Sequence, residues 1–295
     1  MAKDIDSLIA SRNERARIEK LLGCIPESIL KHCKSVKAID LAAEGRSYEK
    51  SAHNYGQNGN LDHIFKQSGQ GSRNGALSRF PQNIGRTLLS LYTEPGQTVV
   101  DPFAGHNSRM EFCWRAGRNY IGCDLSKDFM SKNRQIKEML LHERETDLFP
   151  AEHHSTITLH ECDSRKMPVK SNTGDFTITS PPYWNIEDYG DEIGQLGKND
   201  YPEFLRQITR VASENFRCLK SMSYCVWCVN DFRSSGKFYS YHTDTINFMR
   251  SVGFRLHDTA IIDLGSSFLS SFASQIVEFK ILPKRHEYAL VFWKP

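Results

Sequence analysis

Thr179-Ser180-Pro181-Pro182-Tyr183-Trp184 is the stretch of this 295-residue chain whose residue types and spacing most directly suggest chemistry. Two consecutive prolines have no N–H to donate and hold φ near one value, so they end the strand-like run Gly174-Asp175-Phe176-Thr177-Ile178 and stiffen the turn after it. Their carbonyls stay available as acceptors. With a hydroxyl before them and an aromatic after them, they make a pocket with two acceptor oxygens and a stacking face, which suits a planar ring carrying an exocyclic amino group. The same residues also describe a strand end with a proline turn and a buried aromatic pair.

Such a pocket needs a second reactant beside it. Pro95-Gly96-Gln97-Thr98-Val99-Val100-Asp101-Pro102-Phe103-Ala104-Gly105 predicts a strand closed by an acid and a tight glycine turn, since Gly105 lets the backbone bend where a side chain would obstruct a ligand. A helix comes next, with Asn107 or Ser108 as its cap, Met110, Cys113 and Trp114 as its apolar stripe and Gly117 as its stop. Tyr120-Ile121-Gly122-Cys123-Asp124-Leu125-Ser126 then predicts a second strand ending in an acid, Asp124, 23 residues after Asp101. In doubly wound folds an acid so placed hydrogen-bonds ribose hydroxyls, which implies a nucleoside cofactor.

Together the two segments resemble the DNA amino-methyltransferases, enzymes that methylate cytosine N4 or adenine N6 with S-adenosylmethionine. Asp101-Pro102-Phe103-Ala104-Gly105 is similar to their cofactor loop, and Ser180-Pro181-Pro182-Tyr183 to their catalytic tetrapeptide, whose first position is Asp, Asn or Ser. Phe80-Pro81 and the helix to Tyr92 look like the segment that precedes the cofactor loop. Asp124 with Leu125, and Asp163, match the family's acids near the ribose and near the adenine amino group. Trp184 through Asp188-Tyr189-Gly190 and Gly194-Gln195-Leu196-Gly197 is similar to the segment after the catalytic loop in cytosine-N4 members, and His286-Glu287-Tyr288 before Val291-Phe292-Trp293-Lys294 looks like the closing strand. The resemblance covers roughly residues 76–295. It departs at His106-Asn107-Ser108-Arg109, where the family usually carries Ser-Gly-Thr after the loop glycine.

The resemblance implies a mechanism. The Ser180 hydroxyl and the Pro181 carbonyl would accept the two amino hydrogens, turning the nitrogen lone pair toward the methyl group, while Tyr183 stacks on the base. A base inside a duplex is out of reach, so the target would be flipped or single-stranded. Ser180 and the segment after Tyr183 favour cytosine, with adenine as the alternative. Two readings from other classes stay open: a DNA-binding module with a decayed cofactor loop, and methylation of RNA or a protein side chain by the same pocket.

The expected architecture is α/β: a Rossmann-like methyltransferase fold with a mostly parallel sheet and flanking helices over residues 76–295, preceded by a small helical extension and loop over 1–75. Residues 17–22 and 26–31 each carry a short amphipathic pattern, and residues 51–77 read as a loop. Tyr201 to Lys220 has apolar residues at helical spacing, followed by a strand to Val229, a helix from about Tyr239 to Arg250 and strands near 255–263 and 286–294. Lys284 and Arg285, closing a loop that opens at Gly265, are candidate phosphate contacts, with Trp184 a third DNA contact.

Net charge is only +3 with a pI near 8.3, so composition does not itself announce a nucleic-acid partner. No apolar run of membrane-spanning length and no signal-peptide pattern appears, which predicts a cytoplasmic protein. The eight cysteines do not form a metal pattern: Cys225 and Cys228 lie three apart on a strand and point to opposite faces, and Cys24, His32 and Cys33 lack a second ligand pair. No Pro-Cys nucleophile for methylation at carbon 5 of cytosine is present.

Overall fold

The computed structural model describes residues 13–19, 27–31, 80, 82–105, 109–146, 155–185, 194–264, 276, 278–282 and 284–295. Ten strands and five helices of six to twenty residues account for most of them. The strands are β1 (Ile29–Lys31), β2 (Thr98–Asp101), β3 (Asn119–Asp124), β4 (Ile157–Glu161), β5 (Gly174–Thr179), β6 (Leu219–Val229), β7 (Phe232–Ser234), β8 (Lys237–Tyr239), β9 (Arg255–Asp263) and β10 (His286–Trp293). The helices are α1 (Gln82–Tyr92), α2 (Met110–Arg115), α3 (Lys127–Thr146), α4 (Tyr201–Cys218) and α5 (Tyr241–Ser251).

Eight strands form one sheet in the order β1-β9-β10-β6-β5-β2-β3-β4. All neighbours run parallel except β10, which is antiparallel to both β6 and β9. From β2 the chain moves outward through β3 to β4, then returns to place β5 on the other side of β2. That reversal opens a crevice at the carboxyl ends of β2 and β5, where ligands bind in open α/β sheets. The Rossmann-like architecture expected from the sequence is present.

Helices cover both faces, so the central strands are buried on both sides and read as nearly continuous apolar runs. Along β6, Val226 and Cys228 join the layer built with Leu88, Leu89, Phe112 and Phe176, whereas Cys225 and Trp227 join the layer with Phe204, Ile208 and Phe248. The two cysteines therefore face opposite sides of the sheet, as the two-residue period of a strand requires. In α4 the stripe Phe204, Ile208, Val211 and Ala212 is buried, and the Asp200 side chain caps the first turn by accepting from the Glu203 N–H at 2.8 Å.

Three local expectations need correcting. Residues 29–31, read as part of a helix, form β1, with Ile29, Leu30 and Lys31 in parallel register with Ile261, Ile262 and Asp263. A three-residue apolar pattern carries no period, and a strand edge to pair with decides it. The helix after the glycine turn starts at Met110, with Arg109 at the N-cap position and no side-chain capping bond. Helix α5 begins at Tyr241, because Lys237–Tyr239 pairs with β7 in a hairpin where a helix start was expected. Pro81, His106 to Ser108, Asp188 to Gly190, Gly265 to Phe272, Cys24, His32, Cys33 and the 51–77 segment lie outside the described residues. Among the described residues no helix is long and apolar enough to cross a membrane.

Candidate active site

Because β4, β3, β2 and β5 are parallel neighbours, their carboxyl ends line one edge of the sheet. Asp163, Asp124, Asp101 and Ser180 stand at or just beyond those ends. Asp101 has no exposed surface. Its Oδ2 accepts from Arg109 Nε at 2.6 Å and Tyr120 Oη at 2.7 Å. Its Oδ1 accepts from Thr179 Oγ1 at 2.6 Å and the Phe103 N–H at 3.1 Å. Arg109, also buried, reaches on to the Phe103 carbonyl. Asp101 thus faces protein, joining the turn at Phe103 to the residue that immediately precedes Ser180.

The turn itself is held from three sides. Gly105 has φ +56°, a left-handed conformation that glycine adopts without strain. Its N–H donates to Asp124 Oδ2 at 2.8 Å, and its carbonyl accepts from Asn133 Nδ2 of α3 at 2.7 Å. Ser164 Oγ donates to the Pro102 carbonyl, and the Ala104 N–H to Cys123 O at 2.9 Å. Asp124 Oδ1 accepts from the Ser126 N–H at 2.9 Å. Burial pushes the Asp124 carboxyl up to about 6, against those two N–H donors, which pull it down. Each oxygen retains a lone pair, so the group can still accept from a ribose hydroxyl.

Asp163 caps the short turn Ser164–Lys166 by accepting from the Arg165 N–H at 2.9 Å and is clasped by the Arg165 guanidinium, which in turn donates to Gln207 Oε1 at 2.7 Å. Burial raises its pKa, but the Arg165 donors outweigh that and hold the carboxyl below its usual value. Gly194 comes close above this acid: a Cβ built there would stand 3.6 Å from both Asp163 Oδ2 and Leu125 Cδ2. Phe80 is buried and stacks on Phe112 at 6.4 Å, with the Arg109 guanidinium 5.7 Å from its ring centre.

In the tetrapeptide, Pro181 is buried and Ser180, Pro182 and Tyr183 are half-buried. Among the described residues the Ser180 hydroxyl and the Pro181 carbonyl have no hydrogen-bond partner. Tyr183 packs beside Phe103 against the layer of Trp227. Trp184 takes φ +39°, uncommon for a bulky residue, and is held there by three things. Its Nε1–H donates to Asn199 O at 2.8 Å, and its ring lies 5.2, 6.0 and 5.1 Å from those of Tyr201, Phe232 and Tyr239. Gly197 passes so close to the Trp184 carbonyl that any Cβ there would overlap it.

The remaining candidates have protein partners as well. Arg285 lays its guanidinium on Asp263 with two bonds of 3.0 Å. Lys284 donates to Asn230 Oδ1 at 3.1 Å and lies 3.6 Å from Asp231 Oδ2. Sequence reasoning missed Arg109, Thr179 and Tyr120. Only a tertiary contact reveals them, because an isolated arginine near a helix start ordinarily reads as a solvated charge.

The DNA methylase family profile, which describes N6 and N4 methyltransferases, matches residues 27–137. That segment of the chain is similar to the DNA amino-methyltransferases. The match spans less than half of the chain, includes Asp101 to Gly105 and Asp124, and stops short of Ser180. No curated protein sequence matches. Among solved structures, a candidate DNA modification methylase from Thermus thermophilus is 25% identical over 45% of this chain and 50% of its own, with a TM-score of 0.32. A methyltransferase of Methanosarcina mazei, described as S-adenosylmethionine-dependent, is 10% identical over 70% of this chain and 96% of its own, at 0.46. A candidate methyltransferase of Bacillus halodurans is 12% identical over 72% of this chain and 98% of its own, at 0.47.

Proposed function

We propose that this protein transfers a methyl group from S-adenosylmethionine to the exocyclic amino group of a base in DNA. The observation that carries the reading is the pair of acceptors, Ser180 Oγ and Pro181 O, without a hydrogen-bond partner among the described residues and fixed one and two residues beyond the Thr179–Asp101 bond that ties them to the cofactor loop. The match of the DNA methylase profile to the segment around that loop supports it.

The residues present fit an adenosyl cofactor. Asp124 offers carboxylate lone pairs to ribose hydroxyls, Leu125 and Asp163 flank the adenine position, and a Cβ built on Gly105 would meet only the Phe103 carbonyl at 3.8 Å, so the turn leaves its outer side open. When bound, S-adenosylmethionine supplies a methyl group made electrophilic by its sulfonium. The protein's own contribution is positioning. An aromatic amine is a poor nucleophile because its lone pair is delocalised into the ring. Ser180 Oγ and Pro181 O would accept its two hydrogens and draw the lone pair out of conjugation with the ring, and Tyr183 would supply a face for the base. The amino proton that the methyl group would replace, hydrogen-bonded to Ser180 Oγ or Pro181 O, would be lost to solvent as the product leaves. Trp184 and Gly197 hold the loop in shape. Burial of the flipped base excludes solvent.

Cytosine N4 is the target that Ser180 and the Trp184-to-Gly197 segment favour, with adenine N6 as the alternative. The test is transfer of labelled methyl into DNA by the wild type and by Ser180→Ala and Tyr183→Ala. Loss of one hydrogen bond to a group gaining charge, worth about 1.5–3 kcal/mol, predicts a roughly 10- to 150-fold fall in kcat for Ser180→Ala with cofactor affinity unchanged. Unaltered transfer in both variants would sink the assignment. Tight cofactor binding with transfer to RNA or protein in preference to DNA would move it to the other substrate class.

A further inference from the structure

The edge of the sheet that carries the catalytic loop continues past it. Strand β6 runs parallel to β5, with Trp227 opposite Thr179, so its end at Val229 reaches the same edge. From there the chain rises at once into the β7–β8 hairpin. Its two-residue turn, Ser235-Gly236, has φ values of +50° and +77°, the geometry of a tight hairpin turn whose twist matches the strands. On the inner face, Phe232 and Tyr239 are paired and stacked at 5.3 Å, and both rings lie against Trp184. Ser234 Oγ approaches Asn185 Oδ1 at 3.5 Å. The root of the hairpin is therefore clamped to the residues directly after the tetrapeptide.

The outer face and tip are of another character. Phe238 is 45% exposed. Arg233 lies over its ring at 5.1 Å and Lys284 at 5.3 Å, while Lys237 lies over Tyr239 at 5.1 Å. Arg233 and Lys237 are exposed, and their contacts among the described residues are to these rings. The nearby carboxylate Asp231 is buried beneath them and held by His242 at 2.7 Å, with Lys284 at 3.6 Å. Two cations on a solvent-facing aromatic ring form a small basic patch with a stacking face, and Lys237, opposite Ser234 beside the turn, adds a third cation at the tip over Tyr239.

We propose that the β7–β8 hairpin is the element that grips nucleic acid beside the target base, Arg233 and Lys237 meeting backbone phosphates and Phe238 meeting a neighbouring base or sugar. Charge complementarity selects this occupant, and the clamp on Trp184 sets what the hairpin holds next to the amino pocket. The proposal rests on the reading of the chain as a DNA methyltransferase. It assigns contacts to residues that the sequence motifs do not mark.

The experiment compares full-length wild type, Arg233→Ala/Lys237→Ala, Phe238→Ala and, as a control on the opposite edge of the sheet, Lys170→Ala. Binding of fluorescein-labelled duplex and single-stranded DNA is measured by anisotropy at several salt concentrations, S-adenosylhomocysteine binding by calorimetry, and methyl transfer by label incorporation. The double variant is expected to bind DNA about tenfold more weakly, with the slope of log K against log salt reduced by about 2 in magnitude, near 1 for each phosphate no longer met by a cation. Phe238→Ala is expected to lose between about fivefold and a hundredfold, the range for one stacked base. Cofactor binding and thermal melting stay as in wild type, since all three side chains are exposed, and Lys170→Ala changes nothing. DNA affinities and salt slopes of both hairpin variants within twofold of wild type, in a wild type that methylates DNA, would overturn the hairpin's role and leave the proposed function standing. A wild type that binds cofactor but neither binds nor methylates DNA would overturn both.

Discussion

Replacing Asp101 by asparagine probes the joint on which the site is built. The side chain keeps its size, but its charge disappears and one acceptor oxygen becomes a donor. Each carboxylate oxygen of Asp101 serves two donors: Arg109 and Tyr120 on Oδ2, Thr179 and the Phe103 N–H on Oδ1. The Tyr120 and Thr179 hydroxyls can rotate to accept, whereas Arg109 and the Phe103 N–H cannot. Either orientation of the amide leaves one of these two facing a donor. Arg109 loses its counter-charge in both, and at 3% exposure solvent has almost no access to it. Burial works against the Arg109 charge, and it is Asp101 and its hydrogen bond that keep the guanidinium's pKa above its ordinary value. Breaking a buried pair in this way costs roughly 3–5 kcal/mol, out of a total stability of roughly 5–15 kcal/mol. With a urea slope near 2.5 kcal/mol/M, the midpoint should fall by about 1–2 M. Urea titration followed by tryptophan fluorescence measures it. Asp101→Asn/Arg109→Met removes the stranded cation and should be more stable than Asp101→Asn alone. A loss below about 1 kcal/mol for Asp101→Asn, or strict additivity of the two changes, would refute the hub.

Two further outcomes rest on the same geometry. The raised Asp124 carboxyl disfavours its ionised form in the free protein, so this group's contribution to stability declines as pH rises from about 4 to 6; once ionised it accepts from the ribose. Affinity for S-adenosylhomocysteine should therefore fall about tenfold per unit as pH drops below about 6, and Asp124→Asn should bind weakly with that pH dependence gone; a flat profile in wild type would count against the carboxylate's role. Gly197→Ala forces a Cβ into the Trp184 carbonyl, so it should lower kcat by more than tenfold with cofactor affinity retained; a variant with wild-type turnover would show that the loop does not depend on that contact.

What the sequence reveals here depends on how local the determining physics is. Cys225 and Cys228 could be assigned to opposite faces, and α4 to its buried stripe, because strand and helix periods are written in neighbouring residues. The turn at Gly105 and the acid at Asp124 were legible for the same reason, as a short motif that places them on adjacent strand ends. Strand β1 was not, since its pairing partner Ile261 lies at the far end of the chain. The Asp101 network was invisible because Arg109, Tyr120 and Thr179 converge only in three dimensions. The hairpin does carry a local signal, Ser235-Gly236 between short alternating runs, which the helical pattern beginning near Tyr239 masks. Lys284 and Arg285 look like available cations in the sequence; the fold gives each a carboxylate, Asp231 and Asp263, so charge alone is a poor guide to which cations face a partner.

The central claim is that Ser180 and Pro181 orient an exocyclic amino group for direct methyl transfer. Mass spectrometry of nucleosides from DNA incubated with the protein and methyl-labelled S-adenosylmethionine tests it most directly. The account predicts label in N4-methylcytosine, or in N6-methyladenine if adenine is the target, and its loss with Ser180→Ala and Tyr183→Ala. Label in 5-methylcytosine, or none in DNA from a protein that binds the cofactor, would contradict it.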